Sequence, residues 1–244
     1  DLRLSLVPVE VERDAIHRVD LAFQGFFRRL KLGKAKAGFP RFKKSFHSIE
    51  FVPTDGAKFN GKTLYIQHIG NIKLVKHRDI PANTRITLKY NLGQFFACFT
   101  TESLLTGIKP AAKQIGIDFG LQNFITNSDG QTISSPKFLK RSLVKLKKAS
   151  SKRDKLTKGS PERKKAGFKI RNIYRKITNQ RADFNHKLSR SLVQQNGTIC
   201  LEKLNLDSMV SDLKSINRAF NDVAWGQFTR MLNYKAASAG CKLI

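Results

Sequence analysis

The sequence predicts an α/β chain in which a helix and a strand-rich segment precede a second, larger α/β domain. Three observations carry that prediction. Apolar residues recur every three or four positions from Val9 to Leu32, short alternating runs fill 48–100, and from 114 strand-like runs give way to long basic helices, a strand, a helix and the start of a strand. With 244 residues, 40% of them hydrophobic, the chain can bury one large core or two modest ones.

The helix rests on Ala15, Ile16, Val19, Ala22, Phe23, Phe26, Phe27 and Leu30, which keep helical spacing. After Leu32 the period is lost, and Gly33, Gly38 and Pro40 interrupt a run rich in Lys, Arg and Phe. This stretch predicts a basic, aromatic loop. It is either a solvated turn whose Phe side chains tuck into the core or a contact with phosphates and bases. SIEFVP, TLYIQH, NIKLVK, TRITLKY and QFFACFT then alternate as strands, separated by DG, NG, PAN and NLG turns, and predict an antiparallel barrel or sandwich over 48–104. Residues 105–113 read as a linker.

From Gln114, QIGIDFGLQNFITNSDGQTIS predicts a three-strand meander with a turn at Ser128, Asp129 and Gly130. Residues 136–196 read as helix with a break at TKGSPE. There Ser160 can cap, Pro161 suits the first helical position, and Glu162 favours the positive end of the helix dipole. Ile170, Ile173, Ile177, Phe184, Leu188 and Leu192 carry one apolar face through the long second helix, which predicts a helical hairpin with the first. TICLEKLNL predicts a strand ending at Glu202, residues 212–239 a helix stopped by Gly240, and CKLI the start of another strand.

Charge narrows the function. Lys and Arg number 46 against 18 acids, a formal net charge of +28. Such an excess favours a polyanionic partner, either a phosphate backbone or an anionic membrane surface. No apolar run approaches the roughly 18 residues that span a bilayer, so a membrane-spanning chain is not expected. Residues 137–190 alone hold 20 Lys or Arg and three acids, denser than solubility requires, and predict a surface that tracks phosphates. The densest runs nominate Arg41, Lys43 and Lys44 in the loop and Lys164, Lys165, Arg171, Arg175 and Arg181 in the long helix as nucleic-acid contacts. The start carries no secretory signal pattern, and Cys98, Cys200 and Cys241 are widely spaced without CxxC, which suits a reducing, cytoplasmic and nucleoid-associated setting. The five His lack ligand spacing, Asp207 reads as an exposed acid, and Trp225 and Cys241 read as core.

Two acids stand out. Asp118 falls mid-strand among apolar neighbours, where an unpaired buried carboxylate is costly, so the sequence predicts a partner or a metal. Glu202 occupies a polar position in a second apolar strand. Three strands, helices, a strand, a helix and a strand is the order of an RNase H-like fold, with these acids on its first and fourth strands. A carboxylate pair of this kind suits Mg²⁺ (or Mn²⁺), and with a third acid forms a two-metal phosphodiesterase site.

The chain also resembles a known family, the transposon-encoded TnpB/OrfB proteins, RNA-guided nucleases related to type V CRISPR effectors. The likeness runs along nearly the whole chain through AFQGFFRRLKLGKAKAGFPRFKKSFHSIEF, QIGIDFGLQNFITNSDG, KGSPERKKAGFKIRNIYRKITNQRADFNHKLSRSLV, CLEKLNLDSMV and DVAWGQFTRMLNYKAASAG. The resemblance implies that 1–47 is the end of a helical recognition lobe with its basic loop, 48–104 a wedge domain, and 114–244 a RuvC-like nuclease domain with a basic hairpin insertion. Asp118 and Glu202 match the first two catalytic acids. The implied partners are a guide-type noncoding RNA and target DNA, and the implied activity is Mg²⁺-dependent hydrolysis of DNA.

Family members carry further segments at both ends, including a zinc ribbon with paired CxxC and a third catalytic Asp, so zinc is expected only with a ribbon beyond residue 244. The expectation is therefore a partial chain or a decayed copy that cleaves weakly or not at all. A nuclease-inactive RNA- and DNA-binding protein is the alternative.

Overall fold

The computed structural model describes residues 6–33, 38–43, 45–52, 56–80, 84–102, 112–202 and 222–244. They divide between two compact units, 1–103 and 104–244. The expected linker at 105–113 falls almost wholly outside the described residues, as do Lys44 and Asp207.

In the first unit, helix α1 (Val9–Lys31) has Glu10 and Glu12 in its first turn and Arg28, Arg29 and Lys31 in its last, charges that complement the helix dipole at both ends. Its first turns lie on strand β1 (Ser48–Phe51). Asp14 fixes the contact, accepting from Arg18 Nε at 2.9 Å and from the Glu50 amide at 3.3 Å, while Arg18 also donates to Ser48 Oγ at 3.2 Å. Farther along, Ile16, Val19, Phe27 and Leu30 are exposed. The loop partly covers this end: Phe39 folds back so that its ring centroid lies 5.5 Å from Phe23 and 5.4 Å from Phe26. One loop Phe therefore packs against the helix, whereas Phe42 stays 93% exposed.

Six strands follow where the sequence predicts five, because Ala57–Phe59 (β2) also pairs, with β3 (Thr63–Ile66), which in turn pairs with β4 (Gly70–Lys73). This sheet and a second, built of β1, β5 (Ile86–Asn91) and β6 (Gln94–Phe99) in the order β1-β5-β6, are both antiparallel. They share a core of Phe51, Ala57, Leu64, Ile66 and Ile86. Among the described residues no strand pairing closes the two sheets into a barrel.

In the second unit, β7 (Gln114–Phe119), β8 (Asn123–Asn127) and β9 (Thr132–Ser134) form the expected antiparallel meander. Strands β10 (Thr198–Leu201) and β11 (Lys242–Leu243) extend the sheet in parallel on the other side of β7, giving the order β11-β10-β7-β8-β9. Helices α2 (Phe138–Asp154) and α3 (Pro161–Gln195) make the hairpin, joined through Leu146, Ile170 and Ile177. Ser160 Oγ accepts from the Arg163 amide at 3.1 Å, and Pro161 occupies the first turn as the sequence predicts. Arg163 then donates to the Arg153 and Leu156 carbonyls at 2.9 and 2.8 Å, so one side chain satisfies the end of α2 and fixes the turn.

Helix α4 (Trp225–Ala239) packs Phe228, Leu232 and Ala236 on the sheet beside Leu192 and Val193 of α3. The expected continuous helix over 212–239 is interrupted in its described part, since Ala224 adopts a left-handed conformation with φ of 57°. Gly240, φ 70°, ends the helix as expected, and its conformation suits the absence of a side chain.

Candidate functional site

Strand alternation decides where the acids lie. In β7, Ile115 and Ile117 are buried and Phe119 packs against the core, so Gln114, Gly116 and Asp118 occupy the opposite, open face. In β10, Ile199 is buried and Cys200 exposed. The parallel register pairs Ile199 with Ile115, Cys200 with Gly116 and Leu201 with Ile117. The pairing ends there; Asp118 follows Ile117 within β7, and Glu202 follows Leu201 just past the end of β10, so each acid comes one residue after the last position paired between the two strands.

Both acids are exposed. The expectation of a buried Asp118 needing a partner is thus corrected: its apolar neighbours in sequence point to the other face, and water solvates its charge.

The backbone beneath Asp118 is held on three sides. Phe119 packs against Trp225 and Phe228, with centroids 5.8 and 6.1 Å away. Gly116 donates to Ser128 Oγ at 3.1 Å, and its carbonyl accepts from the Ser128 amide at 2.9 Å. Gly120 begins the turn into β8 so tightly that a Cβ there would lie 2.8 Å from the Asn123 carbonyl oxygen. Asp118 therefore projects from a rigid strand end. Exposed carboxylates on adjacent strands offer hard oxygen donors of the kind that bind Mg²⁺ or Mn²⁺. Among the described residues no group of three His, Cys, Asp or Glu is placed to hold a metal ion.

The nominated cations separate into two kinds. Arg41 and Lys43 are exposed in the loop, and Lys164 and Lys165 are exposed on α3. Arg171 and Arg175 are half-buried, with the Arg171 guanidinium 4.0 Å over the Phe168 ring. Arg181 is different. It donates to Asp222 Oδ1 at 3.1 Å, and Asp222 is 8% exposed. The same carboxylate accepts from the Leu139 and Lys140 amides at 2.9 and 3.1 Å, capping the start of α2. Arg181 thus serves a junction of α2, α3 and the segment leading into α4 rather than an open phosphate-binding face.

Sequence reasoning passed over Asp222, because a residue 82 and 83 positions from the amides it caps gives no local signal. Cys241 and Trp225 are buried, as expected. Among the described residues no helix is long and apolar enough to cross a membrane.

Comparison with known proteins bears on this arrangement. A family model described as "Probable transposase", the OrfB family of IS605-type elements, matches residues 100–212. A Streptomyces pristinaespiralis protein named "Putative RNA-guided DNA endonuclease" is 30% identical over 99% of this chain and 59% of its own length. The chain is similar to the OrfB/TnpB family. A further relative, "Putative RNA-guided DNA endonuclease InsQ" of Escherichia coli strain K12, is 23% identical over 97% of this chain and 62% of its own. The chain thus spans about 60% of the length of these OrfB/TnpB relatives. A solved complex of Cas12f1 with guide RNA and target DNA is 14% identical, with a TM-score of 0.46 over 89% of this chain and 57% of that one, a likeness too slight to build on.

Proposed function

We propose that this chain acts as an RNA-guided DNA endonuclease, with a RuvC-like acidic site formed by Asp118 and Glu202. The observation that supports the reading is that both acids are exposed, one near the end of β7 and one just past the end of β10, on adjacent parallel strands at the centre of a β9-β8-β7-β10-β11 sheet. That order and those strand directions match an RNase H-like sheet, whose first and fourth strands would be β7 and β10. The names of the relatives agree with it.

In this proposal Asp118 and Glu202 hold Mg²⁺, which when bound polarises phosphate oxygens and lowers the pKa of water. The chain's own contribution is positional. The Phe119, Ser128 and Gly120 contacts fix the Asp118 backbone, and the parallel pairing of β10 with β7 brings the chain to Glu202 at the same end of the sheet, from which both carboxylates would meet a phosphodiester. The hairpin cations Lys164, Lys165, Arg171 and Arg175, with Arg41 and Lys43 of the loop, neutralise the backbones of the guide RNA and the DNA. Arg181 is left out of this set because Asp222 engages it.

The test uses the chain with RNA transcribed from its own locus. Asp118→Ala and Glu202→Ala should each weaken Mn²⁺ binding measured by calorimetry, and reduce any Mg²⁺-dependent DNA cleavage by at least about a hundredfold, while leaving RNA affinity unchanged. Unaltered Mn²⁺ binding in both variants would show that the acids are not ligands. RNA and DNA binding without cleavage in the wild type would favour the nuclease-inactive reading.

A further inference from the structure

The β5–β6 hairpin turns through only two residues, Leu92 and Gly93, with φ of 47° and 86°. Both positive values fit the mirror-image turn that matches strand twist, and they lock Tyr90 directly opposite Phe95. The flanking Asn91–Gln94 pair takes the hydrogen-bonded position in such a turn, so Tyr90 and Phe95 form the closer, non-hydrogen-bonded pair. Accordingly the Tyr90 amide turns the other way and donates to the His47 carbonyl at 2.7 Å.

These three residues share one side of the sheet in a row across adjacent chain segments. The Tyr90 and Phe95 ring centroids lie 4.9 Å apart, and His47 stacks on Tyr90 at 6.5 Å with an interplanar angle of 28°.

The row continues the face that Ile86, Phe99, Leu88 and Ala97 turn toward the core. It runs past the residues that cover that core, and Phe95 is left 80% exposed. A single exposed aromatic needs no explanation. Three rings held in contact by strand register are a preorganised apolar surface. The chain enters this surface from the loop carrying Arg41 and Lys43, both exposed, with Phe42 between them. Its surroundings therefore favour a polyanion, and its rings favour flat, unpaired bases, the combination by which single strands are bound.

We propose that His47, Tyr90 and Phe95 form a stacking platform for unpaired bases of a single-stranded nucleic acid. The proposal rests on the nucleic-acid partners of the preceding section and adds a site outside the acidic pair and the helical hairpin.

Fluorescence anisotropy with single-stranded RNA, single-stranded DNA and a blunt duplex of the same sequence, each over a salt series, tests it. Phe95→Ala should lower affinity for single strands about tenfold with an unchanged salt slope, spare the duplex, and melt like the wild type because the ring is exposed. Phe95→Tyr should restore binding. Arg41→Gln should instead flatten the single-strand salt slope by about 0.7. A loss with RNA alone would assign the platform to an RNA strand, and an equal loss with DNA would mean that it recognises base faces only.

Wild-type affinity in Phe95→Ala, or an equal loss on duplex, overturns the platform while leaving the proposed function standing. Absence of any binding by the wild type overturns both.

Discussion

Replacing Asp222 with Ala should destabilise the second unit more than any surface substitution in the chain. Its carboxylate is 7% exposed, pairs with an Arg181 side chain that is 20% exposed, and accepts from two amides at the start of α2. Removing one member of a buried pair leaves the other charge without compensation, at a cost of about 3–5 kcal/mol. Loss of a helix cap is worth about 1 kcal/mol alone, but the same atoms make both contacts, so the two figures are not additive. Against a typical stability of about 5–15 kcal/mol, the expected loss of about 3–5 kcal/mol is a drop in melting temperature of roughly 10–15 °C for a unit of this size. Urea and thermal unfolding followed by circular dichroism would measure it. The double variant Arg181→Met with Asp222→Ala separates the causes. If stranded charge dominates, the double variant is more stable than Asp222→Ala alone; if the cap dominates, it is no better. A loss below about 1 kcal/mol for Asp222→Ala would refute the reasoning, because a solvated, replaceable carboxylate behaves that way.

The remaining predictions follow from local geometry. Gly120→Ala should cost about 1–3 kcal/mol in thermal unfolding, because its Cβ would meet the Asn123 carbonyl oxygen at 2.8 Å. A thiol-reactive dye should label exposed Cys98 and Cys200 at once and Cys241 only on unfolding, since burial hides that thiol and raises its pKa. The folded-state preference for protonated Cys241 is fully present below the ordinary thiol pKa and is lost as pH rises through the raised folded value, so the wild type should lose stability relative to Cys241→Ala over that alkaline window. Lys164→Gln should weaken duplex binding without sequence preference and flatten the salt slope by about 0.9, as read in a filter-binding salt series.

What the sequence made legible depends on how local the cause is. The start of α3 could be read because Ser160, Pro161 and Glu162 act on their immediate neighbours, and the structure shows the Ser160 cap in place. The meander, the hairpin and the final strand were legible through periodicity. The two acids were singled out for a partly mistaken reason. Asp118 was read as buried because its neighbours are apolar, yet in a strand those neighbours point away from it, and the alternation of Ile115 and Ile117 with Gly116 and Asp118 already held the correct answer. What sequence could not show is Asp222, which reaches back across more than 80 residues, or the aromatic row, whose members come from three separate segments and meet only through strand register.

That contrast bears on where chemistry sits in this fold. Asp118 and Glu202 are exposed and cost the fold little, so folding itself does not require acids at these two positions on adjacent strands. Asp222 is the opposite case: it is buried, compensated by Arg181 and two amides, and fully accounted for by what it holds together. A carboxylate whose contacts explain it is structural, whereas packing and burial do not account for the exposed Asp118 and Glu202. By that physical criterion, independent of any relative, Asp118 and Glu202 are the acids in the second unit to test first for metal binding.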